Sequence, residues 1–234
     1  MQRALFVFNV NGIGENAMRA HTIKTSVRGK YLLRLPAHSG PAPLLAGFHG
    51  YGQTAEDEFN LLCAIPGSER WLCCSIEALH SICTPAGHPG ASWMNSHDRE
   101  HQIEENVRYV DAVIERIRAL YAVSDSLSFH GYSQGTGMAS RAALLGRHRA
   151  ESLMLLGGDI PPELTVSGGM GRVHLARGNR DRLYSKDRHE RDAARLREGE
   201  VPVVVSEFLG GHRVNEAYLK AAGEFLAESS TRET

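Results

Sequence analysis

The chain has 234 residues, 42% of them hydrophobic and 23% charged, with 26 Lys and Arg against 27 Asp and Glu for a formal charge of −1. Such a composition fills a sizeable core and excludes disordered, collagen-like and coiled-coil chains. The charge balance offers no field that would draw nucleic acid or an anionic membrane, and the length is read as one domain over 1–234.

Residues 4–10 are apolar apart from Asn9, but too few to span a bilayer, and no signal-peptide cleavage pattern follows them. A soluble, cytoplasmic protein without stable membrane association is expected. Ile23, Thr25 and Val27 alternate with polar residues, 28–30 read as a turn, and Tyr31, Leu33 and Leu35 alternate again, which predicts an antiparallel hairpin closed by Pro36. After a linker at 39–43, buried strands are expected at 44–48, 71–75, 127–132, 153–156, 173–176 and Val203–Phe208. Ile103, Val107, Val110, Ile114, Ile117 and Tyr121 recur every three or four residues and predict an amphipathic helix. Further helices are expected at 134–146, Lys186–Glu198 and 214–227. An antiparallel start followed by alternating strands and helices predicts an α/β fold, a mostly parallel central sheet with helices on both faces.

The four cysteines, Cys63, Cys73, Cys74 and Cys83, lack C-x-x-C spacing and are read as free thiols, Cys73 and Cys74 as small hydrophobes in an apolar run. None of the twelve histidines stands in an H-E-x-x-H pattern, so no metal site is predicted.

Gly131-Tyr132-Ser133-Gln134-Gly135 is a G-x-S-x-G pentapeptide, a pattern that chance produces readily in a chain with 24 glycines. Its setting discriminates. It follows the strand at 127–130 and opens an Ala-rich helix, the strand-turn-helix context of a nucleophile elbow. A serine on so sharp a turn holds strained backbone angles, and side chains at 131 and 135 would collide with the crossing strand and helix. The amide of Gln134, at the helix start, points where negative charge develops on an attacked carbonyl. A second amide is expected from Tyr51, because Gly47-Phe48-His49-Gly50-Tyr51-Gly52 directly follows the apolar run Leu44 to Ala46 as an oxyanion loop would. His49 is read as a structural histidine of that loop.

A serine hydroxyl needs a base titrating near neutrality and a carboxylate to orient it. Asp181 in Gly178-Asn179-Arg180-Asp181 and His212 in Gly210-Gly211-His212 both follow predicted strands. Asp159, after Gly157-Gly158, is the rival acid. The order Ser133, Asp181, His212 is that of the α/β-hydrolases.

With His49-Gly50-Tyr51-Gly52, the pentapeptide, Gly178 to Asp181 and Gly210-Gly211-His212 in this order and spacing, the chain resembles the phospholipase/carboxylesterase family of small α/β-hydrolases, which includes acyl-protein thioesterase-like esterases. The likeness spans about residues 22–228. It implies hydrolysis of carboxylic esters or thioesters without metal or organic cofactor, with Ser133 as nucleophile, His212 as base, Asp181 as acid and the amides of Tyr51 and Gln134 as oxyanion donors. The partner it implies is a small-molecule ester or thioester, with a homodimer as a candidate assembly. Two departures stand out: Arg182-Leu183-Tyr184 where many members have a hydrophobic residue and proline, and Asn95 where many have aspartate. Gly90 to Met94 resembles the family's Trp-containing loop near the substrate, so Trp93, in the long connection 76–102, is taken as a candidate substrate contact. A neutral short- or medium-chain acyl group is the expected substrate. A non-catalytic hydrolase-fold receptor and an acyltransferase using the same triad are the alternatives.

Overall fold

The computed structural model describes residues 23, 25–95 and 98–230; the apolar stretch 4–10, Lys24 and His97 lie outside the described residues. In chain order the elements are β1 (Tyr31–Arg34), β2 (Ala42–Phe48), α1 (Ala55–Ala64), β3 (Leu72–Ile76), β4 (His80–Cys83), β5 (Pro89–Ser92) and α2 (Arg99–Leu120). They continue as β6 (Val123–Tyr132), α3 (Gln134–Leu145), β7 (Ser152–Leu156), β8 (Arg172–Gly178), α4 (Lys186–Glu198), β9 (Val203–Phe208) and α5 (Glu216–Ser230). Seven strands form one sheet in the order β1-β3-β2-β6-β7-β8-β9, parallel throughout except for β1.

Strands buried on both faces read as unbroken apolar runs, and successive side chains point to opposite sides of the sheet. Leu44 and Cys74 face a core built with Val110, Ile114 and Met138 of α2 and α3. Their neighbours Leu45 and Cys73 face the other core, with Leu62 of α1 and Tyr218 and Phe225 of α5. Helices therefore cover both faces, and the paired cysteines serve one core each. Burial pushes the Cys73 thiol up to about 12, beyond the range in which a thiolate forms at neutral pH. Among the described residues no helix is long and apolar enough to cross a membrane.

The antiparallel start takes a different form from the expected hairpin. Residues 31–34 do form an antiparallel strand, but its partner is β3, with Tyr31 opposite Ile76 and Arg34 opposite Cys73, while 25–30 carry no regular structure. An isolated two-stranded ribbon is marginal in water, whereas pairing with β3 lets Tyr31 and Leu33 pack on the main core. Ile23, on the expected first strand, stays 91% exposed. The structure's own hairpin is β4–β5, inside the long connection after β3.

Strand β2 is followed by a crossing to β3 on one side, and the chain then returns over the sheet to β6 on the other. The carboxyl ends of β2 and β6 thus flank the point where strand order reverses, where open α/β sheets leave a crevice.

Candidate active site

Five loops, those after β2, β6, β7, β8 and β9, meet at the carboxyl end of the sheet. Strand β6 ends at Tyr132 and α3 begins at Gln134, so Ser133 alone makes the turn, with φ 54° and ψ −115°. A non-glycine residue held there carries about 1–3 kcal/mol of strain. It is fixed by its surroundings: the Ser133 amide donates to Leu156 O at 2.8 Å, continuing the β6–β7 ladder, and Thr136 Oγ1 donates to Ser133 O at 2.7 Å. The flanking glycines have the reason expected of them. A Cβ at Gly131 would lie 2.4 Å from Gly135 O, and one at Gly135 only 1.8 Å from Phe48 O.

His212, after β9, directs Nε2 to Ser133 Oγ at 2.9 Å and Nδ1 to Asp181 Oδ2 at 2.7 Å. Asp181, after β8, is 5% exposed, and its Oδ1 accepts the amides of Leu183 at 2.8 Å and Tyr184 at 2.9 Å. The departure Arg182-Leu183-Tyr184 therefore still closes a turn on the carboxylate. Buried Tyr184 anchors that turn by donating its hydroxyl to Asp192 Oδ2, and Arg177 Nε donates to Tyr184 O from beneath. The rival Asp159 is not beside His212; it pairs with Arg188.

The loop after β2 lies against the serine. A Cβ at Gly50 would be 3.3 Å from Ser133 Cβ, and the loop is pinned by the Gly50 amide donating to Gln53 Oε1 at 2.8 Å. Tyr51 follows and is 61% exposed. The amide of Gln134, first in α3, belongs to the N-terminal groups that find no acceptor within a helix. His49 is fully buried: Nε2 accepts the Ala78 amide at 3.0 Å, so the proton sits on Nδ1 and is donated to Gly50 O at 2.7 Å. Burial lowers its pKa, keeping it neutral, and its two bonds brace the loop.

Trp93 does not meet the expectation of a substrate contact. Its side chain is 0% exposed, edge-on to Phe48 with ring centres 5.5 Å apart, and Nε1 donates to His49 O at 3.0 Å. Its size and single donor suit it to holding up the β2 loop from behind. The long connection 76–102 still borders the site, because the β4–β5 hairpin hydrogen-bonds that loop through Gly52 N to Ala91 O and Ala91 N to Gln53 O. A Cβ at Gly90 would meet Gly52 O at 2.2 Å, so only glycine allows this approach.

Three further groups shape the site without having stood out in the sequence. Tyr132, the variable residue of the pentapeptide, donates its hydroxyl to His212 O at 3.0 Å and lays its ring 5.4 Å from the imidazole. Burial pushes that hydroxyl up to about 12, so it remains a donor at neutral pH. Gly157 has φ +67°, and a Cβ there would sit 3.4 Å from the His212 ring and 3.5 Å from Asp181 Oδ2; at Gly158 a Cβ would meet Ser133 O at 2.1 Å. The Gln134 side chain faces away from the serine and accepts the Trp93 amide at 2.9 Å. The Gly-Gly pair at a strand end was the available signal; nothing local marked the roles of Tyr132 or the Gln134 side chain.

A cavity of about 350 Å³ opens beside Ser133 and His212, floored by Thr136 and Gly137 and walled by Pro161 and Leu183. Among the described residues no group of three or more His, Cys, Asp or Glu is arranged to hold a metal ion.

No protein-family model and no curated protein sequence matches the chain. Solved structures do. Esterase PE8 is 22% identical, covering 86% of this chain and 99% of that one, with a TM-score of 0.71. The Bacillus cereus carboxylesterase is 16% identical over 86% of this chain and 94% of that one, with a TM-score of 0.69. Acyl-protein thioesterase 2 of Zea mays is 16% identical over 86% and 99%, with a TM-score of 0.66. With the sheet order and the strand-end loops described above, these likenesses identify the architecture of this chain as the α/β-hydrolase fold.

Proposed function

We propose that the chain is a serine hydrolase of carboxylic esters, with thioesters as related substrates, acting through an acyl-enzyme on Ser133. The observation that carries this reading is the continuous relay from Ser133 Oγ to His212 Nε2 and from His212 Nδ1 to Asp181 Oδ2, at 2.9 and 2.7 Å, on a serine held at positive φ. The esterases and thioesterase of the same fold agree with it.

In this reading Asp181 accepts the Nδ1 proton of His212, which leaves Nε2 as the base. Nε2 takes the Ser133 proton as Oγ attacks the carbonyl carbon. Negative charge on the carbonyl oxygen is met by the amides of Tyr51 and Gln134. The tetrahedral adduct collapses, His212 gives its proton to the departing alkoxide or thiolate, and the acyl group stays on Ser133. Water, deprotonated by the same imidazole, repeats the attack and frees the acid. The turn glycines and Tyr132 are positioning residues that keep serine and imidazole in register. The cavity lies at the small end of the range for ligand sites, about 300–1,000 Å³, which favours a short or medium acyl group over a long lipid chain.

The test is Ser133→Ala assayed on p-nitrophenyl butyrate beside labelling by a fluorophosphonate. The variant is expected to lose about 10⁴-fold or more in kcat and all labelling. Equal turnover by the variant, or a folded wild-type protein that never labels, overturns the reading; the second result favours a ligand-binding protein without turnover.

A further inference from the structure

The cavity beside Ser133 is not the neutral pocket that an unadorned alkyl chain needs. Three guanidinium groups border it, from Arg99, Arg141 and Arg188. Two carboxylates answer them. Arg188 pairs with Asp159 and donates to Leu183 O at 2.6 Å, so that charge is matched locally. Arg99 and Arg141 share Glu163: Arg99 Nη2 donates to both of its oxygens at 3.2 Å, and Arg141 donates to Oε1 through Nε at 3.1 Å and Nη2 at 2.6 Å. One carboxylate serves two guanidiniums, and the border keeps one positive charge in excess.

Arg141 is the informative member. It is only 4% exposed, projects from α3, the helix that Ser133 caps, and leaves Nη1 without a hydrogen bond while Nε and Nη2 are occupied. Glu163 meets the charge of the buried guanidinium, as burial requires, and leaves Nη1 as a spare donor at the cavity lining. Nη1 lies beside Gly137 on the cavity lining: a Cβ at 137 would stand 3.5 Å from it, at ordinary contact distance. Residue 137 is one turn of α3 beyond Ser133, a rise of about 6 Å. A planar guanidinium with a free N–H, about one helical turn from the nucleophile, suits a carboxylate better than a methyl group.

We infer that the cavity binds an anionic acyl group, and that the substrate class is the half-ester or half-thioester of a short dicarboxylic acid. Arg141 Nη1 receives the free carboxylate, and Arg99 adds charge at the mouth. This rests on the serine-hydrolase reading. The predicted spacer is that of glutaryl, whose extended chain brings the distance between the reacting carbonyl and the carboxylate close to one helical turn.

The experiment compares kcat/KM for mono-(4-nitrophenyl) glutarate with that for 4-nitrophenyl valerate, in which a methyl replaces the carboxylate, after subtraction of spontaneous hydrolysis. The wild-type protein is expected to favour the glutarate by about tenfold or more, as for one charge-assisted hydrogen bond. Arg141→Met is expected to lower the ratio by a similar factor, and Arg99→Gln, at a half-exposed site, by a few-fold. If Arg141→Met does not fold, the Arg99→Gln ratio and competitive inhibition of valerate hydrolysis by free glutarate decide the matter. A wild-type ratio at or below one, ratios unmoved by both substitutions, or no inhibition by glutarate overturns the anionic pocket. Labelling of Ser133 by fluorophosphonate separates the two levels: labelled protein that prefers valerate refutes the pocket alone, whereas protein that neither labels nor cleaves either ester refutes the hydrolase reading with it.

Discussion

Replacing Asp181 by asparagine changes one atom and should remove nearly all turnover. The carboxylate divides its work: Oδ2 receives the His212 Nδ1 proton, and Oδ1 accepts the amides of Leu183 and Tyr184. An asparagine has one acceptor and one donor and cannot do both. Turning its NH₂ toward the two amides would strand both backbone donors, each at about 1–3 kcal/mol. The amide oxygen is therefore held on the loop and NH₂ faces His212. Nδ1 must then accept, the ring proton moves to Nε2, and the imidazole presents a donor to Ser133 where a base is required. Loss of about 10⁴ in kcat is expected, near 5 kcal/mol of transition-state stabilisation. Because the loop bonds survive, the melting temperature should change little. The assay is p-nitrophenyl butyrate hydrolysis with the rate of fluorophosphonate labelling measured alongside. Asp181→Asn activity within tenfold of the wild-type protein would refute the reasoning, as would a large fall in melting temperature with unchanged specific activity.

Gly135→Ala forces a Cβ against the Phe48 carbonyl, which is backbone and cannot rotate away, so β2 and α3 must separate; about 3 kcal/mol is expected, read as a melting point lower by about 6–12 °C, and a change under 2 °C would contradict the packing argument. Trp93→Phe leaves His49 O without its donor and should cost about 1–3 kcal/mol in urea unfolding while leaving the order of KM values across an acyl-length series unchanged; a reordered series would restore a substrate contact. His174, buried on β8 with Nε2 bonded to Ser206 Oγ, has its pKa pushed down to about 4 by burial, with the charges of His130 and Arg172 adding to it. The folded state refuses a proton that the unfolded chain binds below its ordinary value near 6.5, so stability falls as pH drops from 6.5 toward 4. Relative to His174→Gln, the wild-type protein should lose about 2 kcal/mol between pH 7.5 and 5.0, and an unchanged difference would dismiss this histidine as the cause.

What the amino-acid order determines here is local and periodic. Apolar runs at 44–48, 71–75 and 153–156 become central strands because a strand covered on both faces has no polar side to show. The 3.6-residue repeat from Ile103 to Ile117 becomes α2, and the glycines around Ser133 announce a turn that no larger residue could make. Even the relay could be anticipated, since each of its members follows a strand and parallel strands bring their carboxyl ends to one edge. The neighbour of each element was beyond such reasoning. Tyr31 to Arg34 looked like half of a hairpin and pairs with β3, because the choice of partner depends on which edge the finished sheet leaves open. Trp93 looked like a contact at the site and is sealed behind it, because burial is a property of the assembled layers. The charge of the pocket was the most hidden of all. A net charge of −1 over the chain suggested a neutral substrate, yet Arg99, Arg141 and Arg188 come from α2, α3 and α4 and converge beside Ser133 only when those helices close over the end of the sheet. Charges distant in sequence become an electrostatic site by folding, and only the tertiary structure fixes which of them share a counterion.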